Sequence, residues 1–512
     1  MGKTFYVTTP IYYVNDKPHI GTAYTTVAAD ALARYRRLKG EKVFFLTGTD
    51  EHGQHVARAA EQHGVSPQQW ADTMVEYFTK LWKHLNISND YFVRTTSPNH
   101  ARVAQKFMQR LYENGDIYLD TYEGWYCVPD ETFWLPSQLV DGKCPQCGRE
   151  VEIVKEDNYF FRLSAYGDAV LKYIDNNPDF VEPDIRRNEV VSFIKQGLSD
   201  QSISRKTLSW GIPLPFDTSQ VMYVWFDALI NYISAIDFGT DDERFRQIWP
   251  ADYHLIGKEI LRFHAIIWPA MLIAAGLPLP HHVFAHGWLT VEGEKMSKSK
   301  GNALEPGELT KVFGVDGYRY YFLREFSFGN DGNFSYENML ARYNSELANV
   351  LGNTVSRVLA MVERYRGGVV PEAGALKAED VSLQDSAGSV FEEVDAAMSV
   401  PSFNETLQDI WNYLGAINRY VDETAAWDLN KDPNLSSRLN SVLYNQVEAV
   451  RLASLLVLPF MPETAEGMWR RLGFEDSIYE HHLPDAARWG VFPPGQKVFK
   501  GDPLFPRIEK AG

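Results

Sequence analysis

Cysteine is scarce. The 512 residues contain three, Cys127, Cys144 and Cys147, all in one short segment. A disulfide framework is therefore not expected, and a metal knuckle becomes the question. Long apolar runs are missing as well. The nearest, residues 265–277, is interrupted by Pro269 and falls short of the ~20 residues that a membrane span needs. Positive charge is not in excess: 67 Asp and Glu against 50 Lys and Arg leave a net charge of −17. Any nucleic acid must then be held by local basic patches and base stacking. No signal peptide is expected, because Lys3 leads straight into the strand-like Phe5-Tyr6-Val7, and Tyr6 makes Met1-Gly2 a poor myristoylation signal. A cytoplasmic protein with no membrane partner is expected. Repeats and low-complexity tracts are also absent. Core material is plentiful, with 45% hydrophobic and 13% aromatic residues, which argues against disorder. The length accommodates about two to four domains.

Local patterning divides the chain. Residues 4–14 read as a strand and its exit. Residues 22–39 read as a helix, with Ala23, Val27, Ala31, Leu32 and Tyr35 at helical spacing and Gly40 as its stop. Residues 42–47 read as a second strand, ended by Gly48-Thr49-Asp50. Strand, helix, strand argues for a parallel sheet. Further short apolar runs at 221–225, 253–256 and 283–286 each end in polar or glycine-rich residues. The expected fold is α/β: a Rossmann-like parallel-sheet domain in two halves, residues 1–115 and 214–290. An inserted, mostly β lobe over 116–213 is marked by Gly, Pro, Cys and alternating aromatics. A linking segment occupies 291–340. A helical bundle follows over 341–485, with apolar stripes at Leu340–Leu359, Phe403–Val421 and Leu443–Val457, and an irregular tail covers 486–512.

Two strings carry chemistry. His19-Ile20-Gly21-Thr22 sits at a strand exit and opens a helix. Gly21 permits close backbone approach, and a helix N-terminus suits phosphate. Alone, the string reads better as a capped helix with an ordinary surface histidine. Lys295-Met296-Ser297-Lys298-Ser299, followed by Lys300-Gly301, offers two lysines and two hydroxyls to a triphosphate; a generic basic loop would simply be solvated.

Together the strings resemble the paired HIGH and KMSKS signatures of class I aminoacyl-tRNA synthetases. Thr8-Thr9-Pro10-Ile11-Tyr12-Tyr13-Val14-Asn15, Gly48-Thr49-Asp50-Glu51-His52-Gly53 and Val224-Trp225-Phe226-Asp227-Ala228 narrow the resemblance to the methionyl-tRNA synthetase family, over nearly the whole chain. Thr22 departs from that family, which has histidine there.

The resemblance implies ATP-dependent activation of L-methionine, with Mg2+ accompanying ATP, and transfer to tRNA(Met) for translation initiation and elongation. It assigns His19, Gly21, Thr22, Lys295 and Lys298 to catalysis. ATP would also meet Gly257, Glu259, Ser297 and Ser299. Methionine would meet Ile11, Tyr13, Asp50, Trp225, Ala228, Tyr232, Ile260, Phe263, His264 and Ile267. Asn353, Arg357 and Trp427 would read the anticodon. From local pattern alone, Asp50 reads as an N-cap for a helix over 51–63, Trp427 as a helix-end core aromatic, and Ile260, Phe263, His264 and Ile267 as one face of an α-helix. Another class I synthetase for an apolar substrate and a non-catalytic tRNA-binding relative are the alternatives. The insert's ~100 residues are too few for a separate editing domain, which favours methionine over isoleucine, valine or leucine. With no domain appended after the bundle, a monomer is expected.

Cys144-Pro145-Gln146-Cys147-Gly148 has the form of a zinc knuckle, and Cys127-Val128-Pro129-Asp130 repeats its two-residue gap. Three thiolates and the Asp130 carboxylate can complete a tetrahedron around a structural Zn2+. The alternative is a site that has lost its metal, with Asp130 marking the loss.

Overall fold

Aromatic and β-branched residues dominate Phe5–Tyr13, and in the computed structural model they form β1, an inner strand of a six-stranded parallel sheet. The structure describes residues 3–129, 132–134, 136–295 and 304–509. The chain separates into two compact units. One comprises Met1–Pro18, Val43–Lys83 and Asn89–His286; the other comprises His19–Lys42, His84–Ser88 and Gly287–Gly512.

In the first unit the remaining sheet strands are β2 (Val43–Asp50), β3 (Tyr91–Arg94), β4 (Val181–Glu182), β5 (Tyr253–Gly257) and β6 (His282–His286). Their spatial order is β3-β2-β1-β5-β6-β4. The order reverses between β1 and β5, and ligands of such sheets bind beyond the strand carboxyl ends at that point. Tyr6, Leu46, Phe107, Trp268 and Val283 belong to the core beneath it.

The insert is less β-rich than its composition predicts. Ile117–Cys127 and Glu152–Phe161 pair antiparallel along their length, flanked by Thr132–Trp134 and Gln201–Ser202. Residues Gly167–Asn176 and Asp184–Lys195 are helices, whose Val170, Ile174, Val190 and Ile194 enter the main core. Between them lies β4, too short to leave a periodic signal.

A second correction concerns residues 221–225. Only Val221–Met222 is strand, and it pairs antiparallel with Ser204–Arg205, outside the parallel sheet. Val224–Leu229 is a helix. A five-residue apolar run fits either period, and here tertiary burial decided for the helix.

The second unit opens with α1 (Ile20–Leu38), buried along nearly its whole length. A small sheet sets Leu289–Val291 between Glu294–Lys295 and Gly332–Phe334. Then come α2 (Pro306–Glu325), α3 (Asn353–Arg366), α4 (Ala378–Ser399), α5 (Phe403–Thr424) and α6 (Ser436–Val457). Gly367, at φ 61°, closes α3 in the left-handed region that favours glycine.

Candidate active site

The side chains expected around methionine all lie in the first unit. Ile11 and Tyr13 end β1, and Asp50 ends β2 in register with Tyr13. Asp50 does not cap a helix: the next one begins at Gln54 behind Gly53. Trp225 and Ala228 come from helix Val224–Leu229, and Tyr232 from the following turn, Asn231–Ser234.

Ile260, Phe263, His264 and Ile267 do not share an α-helical face. Lys258–Ile260 is a 3-10 turn and Phe263–Ile267 a π-helical one. One local cause is visible: the His264 ring bonds the Ile260 carbonyl through Nδ1 at 3.0 Å. A side chain competing for that carbonyl favours departure from regular helix.

The segment still brings these groups together. The Phe263 ring stacks on Trp225 with centroids 3.8 Å apart. The Tyr232 hydroxyl lies 2.7 Å from His264 Nε2. Ile267 is buried in the core, whereas Ile11, Tyr13, Trp225, Ile260 and Phe263 are half-buried against it. Burial pushes the His264 pKa down to about 4 and that of Tyr232 far up. This wall is therefore aromatic and uncharged at neutral pH, which suits a polarizable thioether. A Cβ at Gly257 would meet the Glu259 carboxylate, the end of an exposed side chain that can swing aside.

Local pattern missed the polar scaffold behind the wall. Fully buried Asp227 accepts from His52 Nδ1 at 2.6 Å and from His100 Nε2 at 2.7 Å; His100 Nδ1 reaches Ser234 Oγ at 2.7 Å. Burial raises the Asp227 pKa, but the two histidines outweigh it and hold the carboxyl at about 2. Ionised, Asp227 can only accept, so both rings must donate to it. Glu51, also buried, binds Arg94 through both oxygens at 2.8 and 2.9 Å and accepts from Thr49 and Thr96. Residues 49–52 are thus anchored on both sides of Asp50. Both His52 and Asp227 fall inside the quoted strings, but their pairing spans 175 residues and has no local signature.

In the second unit, His19 is the N-cap of α1. Its Nδ1 accepts from the Gly21 N–H at 3.1 Å, which leaves Nε2 as the protonated nitrogen, able to donate to an anion. Thr22 is buried. Lys295 lies on the strand Glu294–Lys295. Ser297, Lys298 and Ser299 lie outside the described residues.

Asn353 opens α3 and is exposed, and Arg357 binds Asp422 at 2.6 Å. Trp427 sits on the short helix Ala426–Leu429 and is 39% exposed, so it is not a core aromatic. Cys127, Cys144 and Cys147 present sulfurs within 4.8 Å of one another, an arrangement able to hold one metal ion. Asp130 lies outside the described residues.

Comparison with known proteins is consistent along the whole chain. The family model described as tRNA synthetases class I (M) matches residues 5–153 and 148–359, and the anticodon binding domain of methionyl tRNA ligase matches residues 370–512. The chain belongs to the methionyl-tRNA synthetase family. It is 52% identical to the methionine–tRNA ligase of Caldanaerobacter subterraneus over 99% of this chain and 80% of that one. With the ligase of Streptomyces coelicolor it shares 49%, over 99% of this chain and 97% of that one. The structure of Mycobacterium tuberculosis methionyl-tRNA synthetase in complex with methionyl-adenylate superposes with a TM-score of 0.94 at 44% identity, covering 99% of this chain and 100% of that one. The parallel sheet, the insert and the helical bundle are thus those of this class I family.

Proposed function

We propose that the protein activates L-methionine with ATP, forming methionyl-adenylate and pyrophosphate, and then transfers the methionyl group to the 3′-terminal adenosine of tRNA(Met) with release of AMP. The observation that carries this reading is the uncharged aromatic wall of Trp225, Phe263, Tyr232 and His264.

The methionine carboxylate attacks the α-phosphorus and pyrophosphate leaves; no protein nucleophile takes part. Catalysis is then positioning and electrostatics. Asp50 pairs with the substrate ammonium. Ile11, Tyr13, Ala228, Ile260 and Ile267 complete the side-chain pocket. Gly257 and Glu259 hold the ribose. His19 donates from Nε2 to a phosphate oxygen, Gly21 and Thr22 line the helix start, and Lys295, Ser297, Lys298 and Ser299 stabilise the departing pyrophosphate. Mg2+ accompanies ATP and neutralises phosphate charge. Asn353, Arg357 and Trp427 read the anticodon. Cys127, Cys144 and Cys147, with Asp130, hold a structural Zn2+. The enzyme works as a monomer in the cytoplasm. Among the described residues no helix is long and apolar enough to cross a membrane.

ATP–pyrophosphate exchange with each of the twenty amino acids tests the reading. Methionine should drive exchange best; exchange driven by leucine or isoleucine with methionine inert would overturn it.

A further inference from the structure

The helix that presents His19 at its start is gripped at its middle by a closed ionic cluster. Fully buried Asp30, on α1, accepts at Oδ2 from Arg34 Nε at 2.7 Å and Arg319 Nη2 at 2.6 Å. At Oδ1 it accepts from Ser88 N at 2.7 Å and Ser88 Oγ at 2.6 Å. Arg319, on α2 and equally buried, also donates to three carbonyls: Phe460 from Nε at 2.9 Å, Leu85 from Nη1 at 3.2 Å and Pro459 from Nη2 at 3.1 Å. Arg34 reaches the Tyr479 hydroxyl and the Asn86 carbonyl. One carboxylate and two guanidiniums thereby join α1, residues 84–88, α2 and the chain after α6.

A second tie lies at the start of α1. The Ile20 N–H donates to the Leu304 carbonyl at 3.2 Å, and α2 begins at Pro306, just downstream of residues 295–299. α1 is therefore tied to the segment 304–325 at two levels, one on each side of the non-helical break at Gly314 (φ 71°, ψ 166°) inside α2.

We infer that Asp30 and Arg319 are positioning residues for adenylate formation, holding α1 so that His19 at its start keeps its place. The inference rests on the reading of His19 as a phosphate ligand. Its physical basis is leverage. Asp30 lies about 16 Å along the helix axis from His19, so a tilt of about 4° at the cluster shifts His19 by ~1 Å. A 1 Å misplacement can cost ~100-fold in rate. Buried ion pairs stabilise little compared with apolar packing of equal volume; their best-attested use is to specify one arrangement.

The test uses Arg319→Lys and Asp30→Asn, with Ser88→Ala as a milder third variant and His19→Ala as a check on the underlying reading. Each is assayed by methionine-dependent ATP–pyrophosphate exchange, normalised to folded protein by circular dichroism, with Tm recorded. In Arg319→Lys and Asp30→Asn, kcat should fall about tenfold or more and the ATP KM should rise, while the methionine KM stays within about twofold. Ser88→Ala should show the same split at about threefold, and it decides the matter if the other two do not fold. Folded variants with lowered Tm but unchanged kcat and ATP KM would make the cluster merely structural and overturn the inference. So would a methionine KM that rises in step with the ATP KM. An impaired His19→Ala beside unimpaired cluster variants sinks the inference alone; an unimpaired His19→Ala sinks the phosphate-site reading and the inference with it.

Discussion

The Tyr232 hydroxyl donates to Nε2 of His264 at 2.7 Å, while Nδ1 of the same ring donates to the Ile260 carbonyl at 3.0 Å. This pair fixes the ring in its neutral Nδ1–H form, the only tautomer that satisfies both bonds.

Because burial lowers the His264 pKa to about 4, the methionine KM should carry no inflection near 6.5 from this ring. Tyr232→Phe leaves a buried acceptor unmet, at a cost of roughly 1–3 kcal/mol. The methionine KM should therefore rise about 5- to 100-fold, with kcat less affected. KM measured from pH 5.5 to 8.5 checks both points. A bend near 6.5 that vanishes in His264→Gln would show the ring titrating in the pocket.

Asp227 makes an acid-stability prediction. Its folded pKa of about 2 lies below the ordinary 3.8, so the folded state holds this proton more weakly than the unfolded chain. Its contribution is present above pH ~4 and is lost as pH falls through about 2. The shift is equivalent to roughly 2 kcal/mol. Asp227→Asn should lower stability at pH 7, and the gap to the unaltered protein should narrow between pH 4 and 2. Thermal melts across that range test it; a gap that does not depend on pH would mean that the His52 and His100 contacts do not stabilise the charged form.

Much of this site could be read from local pattern, for identifiable reasons. β1, β2 and α1 have clean periods and glycine punctuation, so local pattern puts His19 at a helix start and Asp50 at a strand end. What failed was what local pattern does not encode. The two-residue β4 is too short to show a period. Residues 221–225 fit strand and helix equally. The π turn at Phe263–Ile267 breaks the 3.6-residue repeat on which a shared face depends. The Asp227 and Asp30 clusters join residues far apart in the chain: His100 stands 127 positions from Asp227, and Arg319 stands 289 from Asp30.

Trp427 gives a prediction that separates the two steps of the reaction. Its exposure in the helical bundle leaves a ring face for a base, and such stacking contributes about 1–3 kcal/mol. Trp427→Ala should leave pyrophosphate exchange intact and lower kcat/KM for tRNA(Met) charging roughly 10- to 100-fold. Exchange that falls as far as charging would assign the ring to holding the fold.

The last prediction concerns the cysteines. Cys127 and Cys144 are buried, and the sulfurs of Cys127 and Cys147 stand 3.5 Å apart. Thiolates around zinc at ~2.3 Å lie about 3.8 Å from one another in a tetrahedron, so the separation fits a metal with little adjustment. The knuckle turn is built for it: Gly148 has φ 71°, and its N–H donates to the Cys144 carbonyl at 2.9 Å. With a fourth ligand from the chain, Asp130, no coordination position would remain for a substrate, so the ion would be structural. The ribbon of Ile117–Cys127 and Glu152–Phe161 that it would brace is small, and metal binding offsets a shortage of core. Protein purified without chelator should contain about one zinc per chain, lost in Cys144→Ser and weakened in Asp130→Ala. Removing the metal should increase protease cleavage within residues 117–161 while the helical bundle stays protected. Metal-free protein that is folded, active and no more cleavable there would refute the site and mark the three thiols as the remnant of one.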